Sequence, residues 1–412
     1  MKVQYLIFSI IFFLAVNDSK AQKYGCTDPV AINFDPSATD NDGSCTYDVS
    51  SVLPTTSNNL AENLKETSGL IKWNDQIWTF NDDTDTNIYS LDTINGTILY
   101  TYPLKGTKNV DWEEISQDDK YIYIGDFGNN VNGNRTDLKI LRIDKKSILI
   151  DSPVIDTINY SYSNQDNFTP SGANNTDFDC ESFIVSPDSI FLFTKQWVSN
   201  KTSVYALSKT PGTYIANLKT TYDVSGLITG AVYLESKKLI VLCGYSNLLQ
   251  PFLYLLYDFN SSDFFSGNKR KISISLPFHQ VEGIATTNGL KYYISNEYFT
   301  KPPYITILQQ FHILDLSSFL SNYLDKITNI KDIERRNNFS VFPVPSSGFI
   351  FMKTDNDYLP LDYSLTNQSG QTILTGKLIG ENQTINISDL SVGMYLLNIG
   401  AENSHSCKVI KR

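Results

Sequence analysis

The sequence predicts an all-β chain, most of it a β-propeller, with a small β-sandwich at the C-terminal end. Three observations predict this. Among the 412 residues aromatics make up 13%, with 25 Tyr and 23 Phe, and runs rich in Ala, Glu and Lys are scarce, a balance that suits pleated, half-buried surfaces. One strand–turn–strand pattern recurs through the middle of the chain, clearest in DWEEISQDDKYIYIGDFGNN from Asp111 to Asn130. From Phe339 onward the pattern becomes short alternating strands punctuated by Gly, Asn and Ser, as in a sandwich.

Taken in order, Met1–Ala21 reads as a secretory signal. Lys2 gives a minimal positive start, Tyr5–Val16 is an apolar run too short to span a bilayer, and Ser19-Lys20-Ala21 places small residues at the cleavage site. The mature chain is expected to begin at Gln22, with a retained anchor as the alternative. No later stretch is long and apolar enough to span, so no transmembrane segment is expected after signal removal. Formal net charge is −11, which repels phosphate backbones and anionic headgroups and argues against nucleic-acid binding.

Residues 22–48 form a compact module. Cys26 and Cys45 enclose 18 residues, and export favours a disulfide between them. In the chain-entropy model such a closure is worth roughly 3 kcal/mol. Asp40, Asp42 and Gly43 give part of a calcium loop, yet Ala38 stands where the first carboxylate belongs, and Asx turns are the alternative. The string GCTDPVAINFDPSATDNDGSC resembles a short cysteine module of exported Bacteroidetes proteins.

The central segment, 49–322, carries the repeat. Its copies begin KETSGL at Lys65, DWEEI at Asp111, FDCESF at Phe178, LITGA at Leu227 and HQVEGI at His279. Second strands follow as IWTFND, YIYIGD, IFLFTK, LIVLCGY and YYISNE. Four strands per unit of about 45 residues predict propeller blades. Five are counted, and a sixth is possible in Asp144–Asp177. The last unit lacks an outer strand, which Ser51–Thr56 is expected to supply, closing the sheet edge.

Propeller geometry would gather the equivalent edge residues Ser68, Glu113, Glu181, Thr229 and Glu282 at the channel mouth. The second-strand ends Asp82, Asp126, Lys195, Tyr245, Asn296 and Glu297 would join them. The long loops Gly128–Thr136 and Ser163–Asp177 are expected on the same face. Glu113, Glu181 and Glu282 together would repel unless protonated or shared by a cation, with Ca2+ the candidate and Asp82, Asp126 and Asn296 as further oxygen donors. The alternative is that each glutamate caps backbone N–H groups of a neighbouring blade.

Glu282–Ile284 with Ser295–Glu297 resembles propeller hydrolases of the phytase-like and gluconolactonase types, which would imply carboxylate and Asn ligands around a divalent ion. No nucleophile elbow, zincin helix or P-loop is present among the motifs. His279 lies three residues before Glu282, as an acid–base candidate or a loop histidine bonded to backbone. Cys180 and Cys243 fall in adjacent units and either pair or stay as buried thiols, and Cys407 is the expected unpaired one.

Residues 323–338 read as a linker with one helical turn at most. The segment 339–412 then carries Phe342-Pro343-Val344-Pro345, Gln368-Ser369-Gly370, Leu390-Ser391-Val392-Gly393-Met394-Tyr395 and the basic end Lys408–Arg412. These residues resemble the type A C-terminal sorting domain of the type IX secretion system, although Val344 stands in place of the family's Asn. The resemblance implies export by the type IX machinery of a Bacteroidetes bacterium, with the protein secreted or held on the outer face of the outer membrane. The expected function is recognition of an extracellular glycan, protein or small polar ligand. A metal-dependent phosphatase-like or lactonase-like hydrolase at the channel mouth is the second reading.

Overall fold

The computed structural model describes residues 22–337, 340–353, 360–380, 382–399 and 405–412. The expected signal peptide lies outside them. The chain divides into two compact units between Ser318 and Phe319, and its described elements are almost all strands.

The N-terminal unit is a succession of antiparallel sheets, each formed by strands that follow one another in the chain. The first holds Ile71–Trp73, Gln76–Thr79, Asn87–Leu91 and Ile98–Pro103; the second holds Trp112–Gln117, Tyr121–Asp126, Lys139–Asp144 and Ile155–Tyr162. The third runs through Asp179–Val185, Ser189–Lys195, Thr202–Ser208 and Gly212–Tyr222, and the fourth through Leu227–Leu234, Leu239–Tyr245, Pro251–Tyr257 and Asn268–Ile274. The fifth has Val281–Thr286, Lys291–Asn296 and Gln310–Asp315. First strands of successive sheets lie against one another, and that of the fifth returns to that of the first. The second and third sheets also join at their outer strands, where Ile158–Tyr162 pairs in parallel with Gly212–Ala216.

Each hairpin is fixed by its own turn chemistry. In the second sheet Asp118 Oδ1 accepts the N–H groups of Lys120 and Tyr121, and Oδ2 accepts the Tyr123 hydroxyl at 2.8 Å, an Asx turn that sets the strand register. Apolar side chains of these strands then pack between neighbouring sheets. Trp78, Phe80, Trp112 and Ile124 fill the space between the first two; Tyr123, Phe127, Phe183 and Tyr205 fill the next. All are fully buried, and a large apolar side chain so buried contributes about 1.5–3 kcal/mol.

Closure differs from expectation in register. Thr56–Asn59, rather than Ser51–Thr56, supplies the outer strand of the fifth sheet, pairing Thr56 with Ile313 and Asn59 with Gln310. Ser51–Val52 instead adds a short parallel strand to the fourth sheet, opposite Ser273 and Ile274. Pro54 separates the two pieces because it cannot donate to a ladder. The Asp144–Asp177 stretch holds no further sheet: it comprises the helix Lys145–Leu149, the outer strand of the second sheet, and a loop.

The cysteine module is closed by a Cys26–Cys45 disulfide and docks on the fourth sheet. Asp28 Oδ2 accepts the hydroxyls of Tyr47 at 2.8 Å and Tyr257 at 2.6 Å, and Lys269 Nζ donates to the Gly43 carbonyl at 2.9 Å. Asp42 is taken up by the Ser44 N–H, and Asp40 by Gln22 and Thr39, so these carboxylates serve as turn and surface acceptors.

In the second unit, sheets of three and four strands share a core of Ile350, Leu365, Leu397 and Val409. Where a linker with one turn is expected, a helix runs from Ser317 to Asn337. Asp315 accepts the Ser317 N–H at 2.8 Å at its start. Its apolar residues Leu320, Tyr323, Leu324 and Ile327 follow the helical period, which a strand-based reading passes over.

A chain that begins at Leu60 lacks the closing strand, whereas one that begins at Ser50 lacks only the cysteine module. By calorimetry the Leu60 chain is expected to melt at least ~5 °C below the Ser50 chain, because it exposes the Gln310–Ile313 edge. Equal melting temperatures would contradict this closure.

Candidate functional site

Four of the five first strands share one irregularity. Pairing with the second strand skips a residue at Glu113, at Glu181, at Thr229 and at Glu282. A bulge of this kind leaves one residue unpaired and re-aims it. The bulged residues are the ones the repeat alignment made equivalent. Ser68 is the counterpart in the first sheet, where its N–H donates to the Phe80 carbonyl at 3.1 Å. All five are buried. Bulging also turns backbone carbonyls toward the neighbouring sheet: the Glu113 carbonyl accepts the Ser68 hydroxyl and the Gly69 N–H, and the Val281 carbonyl accepts the Thr229 hydroxyl at 2.5 Å.

The residue after each bulge is Gly69, Glu114, Ser182, Gly230 or Gly283. Glu114 uses the room the small residues leave. One of its oxygens accepts the Ile115 N–H at 2.9 Å, and the other reaches the fourth sheet to accept the Ala231 N–H at 2.8 Å. A Cβ on Gly69 would stand 2.2 Å from Glu114 Oε1. Burial drives the Glu114 carboxyl well above the usual range. The backbone cap between sheets is therefore Glu114; among the described residues neither Glu113, Glu181 nor Glu282 accepts a backbone N–H of another sheet, and Glu282 meets only the Thr229 hydroxyl there. A cavity of about 250 Å³ adjoins the residues whose N–H groups Glu114 accepts: Ile115 and Ala231 line it, together with Leu70, Lys72, Val185 and Ala285.

At the bulges the site is acidic. Two residues ahead of the bulges stand Glu66, Asp111 and Asp179, with Leu227 and Gln280 in the other sheets. Opposite them across the hairpins are Asp82, Phe127, Lys195, Tyr245 and Glu297. Eight carboxylates thus act on one another here: Glu66, Asp82, Asp111, Glu113, Asp179, Glu181, Glu282 and Glu297. Lys195 is the buried ammonium among them. Its Nζ lies 3.1 Å from Glu181 Oε1, and its side chain runs beside Trp197 and Tyr245.

Burial and mutual repulsion raise these carboxyl groups. Asp82 is pushed up to about 8 by burial, Glu66 and Glu282, and Asp111 to about 6 by burial and Asp179. Burial, then Glu181 and Asp111, holds Glu113 well above its ordinary value, and burial followed by Glu282 does the same to Glu297. Asp179 accepts the Asn129 N–H at 2.5 Å and the Trp197 indole N–H at 2.7 Å, yet burial and Glu181 still raise it strongly. Burial opposes charge on Lys195, but Glu181, Tyr245 and Glu282 outweigh it and keep the ammonium protonated. Oxygens of Glu66, Asp82 and Glu297 lie within 4.8 Å of one another, a spacing suited to a metal ion.

Two expected site residues fall elsewhere. Asp126 and Asn296 sit one position before the face that Glu297 occupies, and strand alternation turns them away. Asp126 is ion-paired with Arg135 and Lys139, both at 2.8 Å. Asn296 bonds His312 Nε2 at 2.9 Å, and His312 Nδ1 meets the Ser57 hydroxyl of the closing strand at 2.7 Å. Burial and His279 push His312 down to about 3, so it is neutral there. His279 itself is held between the Pro277 carbonyl at 3.0 Å and Gln310 Oε1 at 3.1 Å. Cys180 and Cys243 are buried free thiols rather than a pair.

The alignment missed Glu66, Asp111 and Asp179, although they lie one full alternation before the bulged residue and share its side of the strand. Both long loops do come together: Ser171 and Asn174 N–H groups donate to the Asn132 and Asn130 carbonyls. Gly128 also closes over the acidic group, where a Cβ would stand 2.2 Å from Glu113 Oε1.

Among curated proteins none matches the chain. Solved structures that align with it include PorZ, an essential surface component of the type-IX secretion system of Porphyromonas gingivalis, at 10% identity and TM-score 0.31, covering 83% of this chain and 44% of that one. The chain thus spans less than half of PorZ. The WD40 repeats of RRP9 align at 9% identity and TM-score 0.34, covering 65% of this chain and all of that one. Scores this low support no argument about fold or function. Residues 340–412 match the secretion system C-terminal sorting domain, so the chain carries a tail that directs secretion or surface display.

Proposed function

We propose that this chain is a cargo of the type IX secretion system of a Bacteroidetes bacterium, and that its five sheets are the blades of a propeller presenting a binding site at one end of its axis. The sorting tail supports the export route. Cyclic packing of the first strands supports the propeller, because blades arranged radially bury each sheet face against the next.

A single observation carries the binding function: eight carboxylates converge from four sheets on a site where Lys195 is the buried ammonium, and burial with mutual repulsion raises their pKa values. An enclosed group of like charges is relieved by a ligand bearing positive charge. The ligand class is therefore cationic, either a metal ion or an extracellular molecule with ammonium or guanidinium groups. The hydrolase reading gains nothing from His279, whose ring nitrogens are both engaged by neighbours.

Export is tested by deleting residues 340–412, which is expected to strand the protein in the periplasm, while a reporter fused to those residues leaves the cell. Surface delivery of the shortened chain would refute it. Binding is tested by titrating a tri-lysine peptide calorimetrically. Affinity is expected to fall at least about tenfold in Glu113→Gln, the loss of one close charge contact at about 1.4 kcal/mol per decade. Unchanged affinity would count against the site.

A further inference from the structure

Charge is divided unevenly across this site. Lys195 stands beside Glu181 at 3.1 Å, and its charge also acts on Glu282 and Asp179. Its charge reaches Glu297 too, after the larger effects of burial, Glu282 and Asp82, but none of Glu66, Asp82 and Glu297 has a buried cation in ion-pair contact among the described residues. Lys65, half-buried, pairs with Glu62, and its charge only partly offsets the burial of Glu66. The trio also spans a particular junction. Glu66 and Asp82 belong to the first sheet, where the Asp82 N–H donates to the Glu66 carbonyl at 3.0 Å. Glu297 ends the second strand of the fifth sheet, and the Tyr298 N–H beside it donates to the Lys65 carbonyl at 2.8 Å. This is the seam where the ring of sheets meets its own beginning.

Backbone bonds therefore hold three carboxylates from two sheets within 4.8 Å of each other. A separate feature points to a ligand at the same place. Glu113 is 5% exposed, its carboxylate has no hydrogen-bond or ion-pair partner among the described residues, and the charges of Glu181, Asp111 and then Asp82 bear on it. A buried carboxylate left without any partner is costly. A hard divalent cation satisfies oxygen ligands of this kind, and calcium accepts the flexible geometry that three carboxylates and water provide.

We propose that Glu66, Asp82 and Glu297 bind a calcium ion that staples the first sheet to the fifth, with Glu113 behind it. The inference rests on the acidic site read above and narrows it to one cation and one seam. It replaces Glu113, Glu181 and Glu282 as the ligand set, because Lys195 is ion-paired with Glu181 at 3.1 Å and its charge also favours ionised Glu282. Binding is expected in the range of extracellular calcium modules, Kd roughly 10⁻⁴–10⁻³ M. Calcium then holds the ring closed at the concentrations met outside a cell.

The experiment compares melting temperatures of the secreted protein in chelator and in 5 mM calcium. Calcium is expected to raise the melting temperature by at least ~3 °C, since a ligand of the native state stabilises it by mass action. Glu66→Gln and Asp82→Asn, which relieve the same repulsion, are expected to melt no lower than the parent in chelator and to lose the calcium shift. Tri-lysine is titrated in parallel. A calcium shift that persists in both variants overturns the staple. If calcium gives no shift while the peptide still binds, the staple is overturned and the acidic binding site stands. If neither calcium nor the peptide binds, both fall.

Discussion

The structure depends on a one-residue bulge repeated near the start of the first strands. Without it, strand alternation would direct Glu113, Glu181, Thr229 and Glu282 into the packing between sheets, where an ionised group is costly. With it, these residues are left out of the ladder and the following residue takes up the pairing in their place. That next position must be small in most sheets, since the strands crowd there. Gly69 and Gly230 leave the room that Glu114 fills. One bulge thus fixes both the acidic group and the Glu114 cap beside it.

Glu114 and the carboxylates in front of it are alike in chemistry and unlike in circumstance. Both Glu114 oxygens have backbone N–H donors, one of them from another sheet, so its burial is compensated. Glu113 has no such donor. Asp179 and Glu297 have donors but face more negative charge than those bonds offset. A fold that only needed to pin its sheets together would use the first arrangement throughout. Keeping the second costs stability, and such costs are retained where a ligand repays them.

Much of this was legible in the sequence, and the failures have physical causes. Repeats located the bulged residues correctly because edge and second strand recur together. Asp126 and Asn296 were misplaced because a strand's last polar residue is not always on the near face, and one position decides the side. Glu66, Asp111 and Asp179 were passed over since the alignment was centred on the bulge and did not step back two residues along the same side. The closing strand was misjudged because Val52 and Leu53 are apolar, whereas the true strand, Thr56–Asn59, is wholly polar, as edge strands often are. The charge of Lys195 was read without its partner. Only the three-dimensional pairing with Glu181 shows which carboxylates remain unneutralised.

The central claim is that the acidic site is protonated or occupied and cannot stand fully ionised and empty, and the pH dependence of stability tests it. These carboxyl groups are raised in the folded protein, Asp82 to about 8, whereas in the unfolded chain they ionise near pH 4. The folded state therefore holds extra protons at neutral pH, and their stabilising contribution is lost as pH rises through the folded values. His312 acts in the opposite sense but only below about pH 6.5, where the unfolded chain takes up a proton that the buried ring refuses. Unfolding in chelator should be followed between pH 6.5 and 8.0, above the His312 window. The melting temperature is expected to fall steadily across that range, and a flat or rising profile would contradict the account.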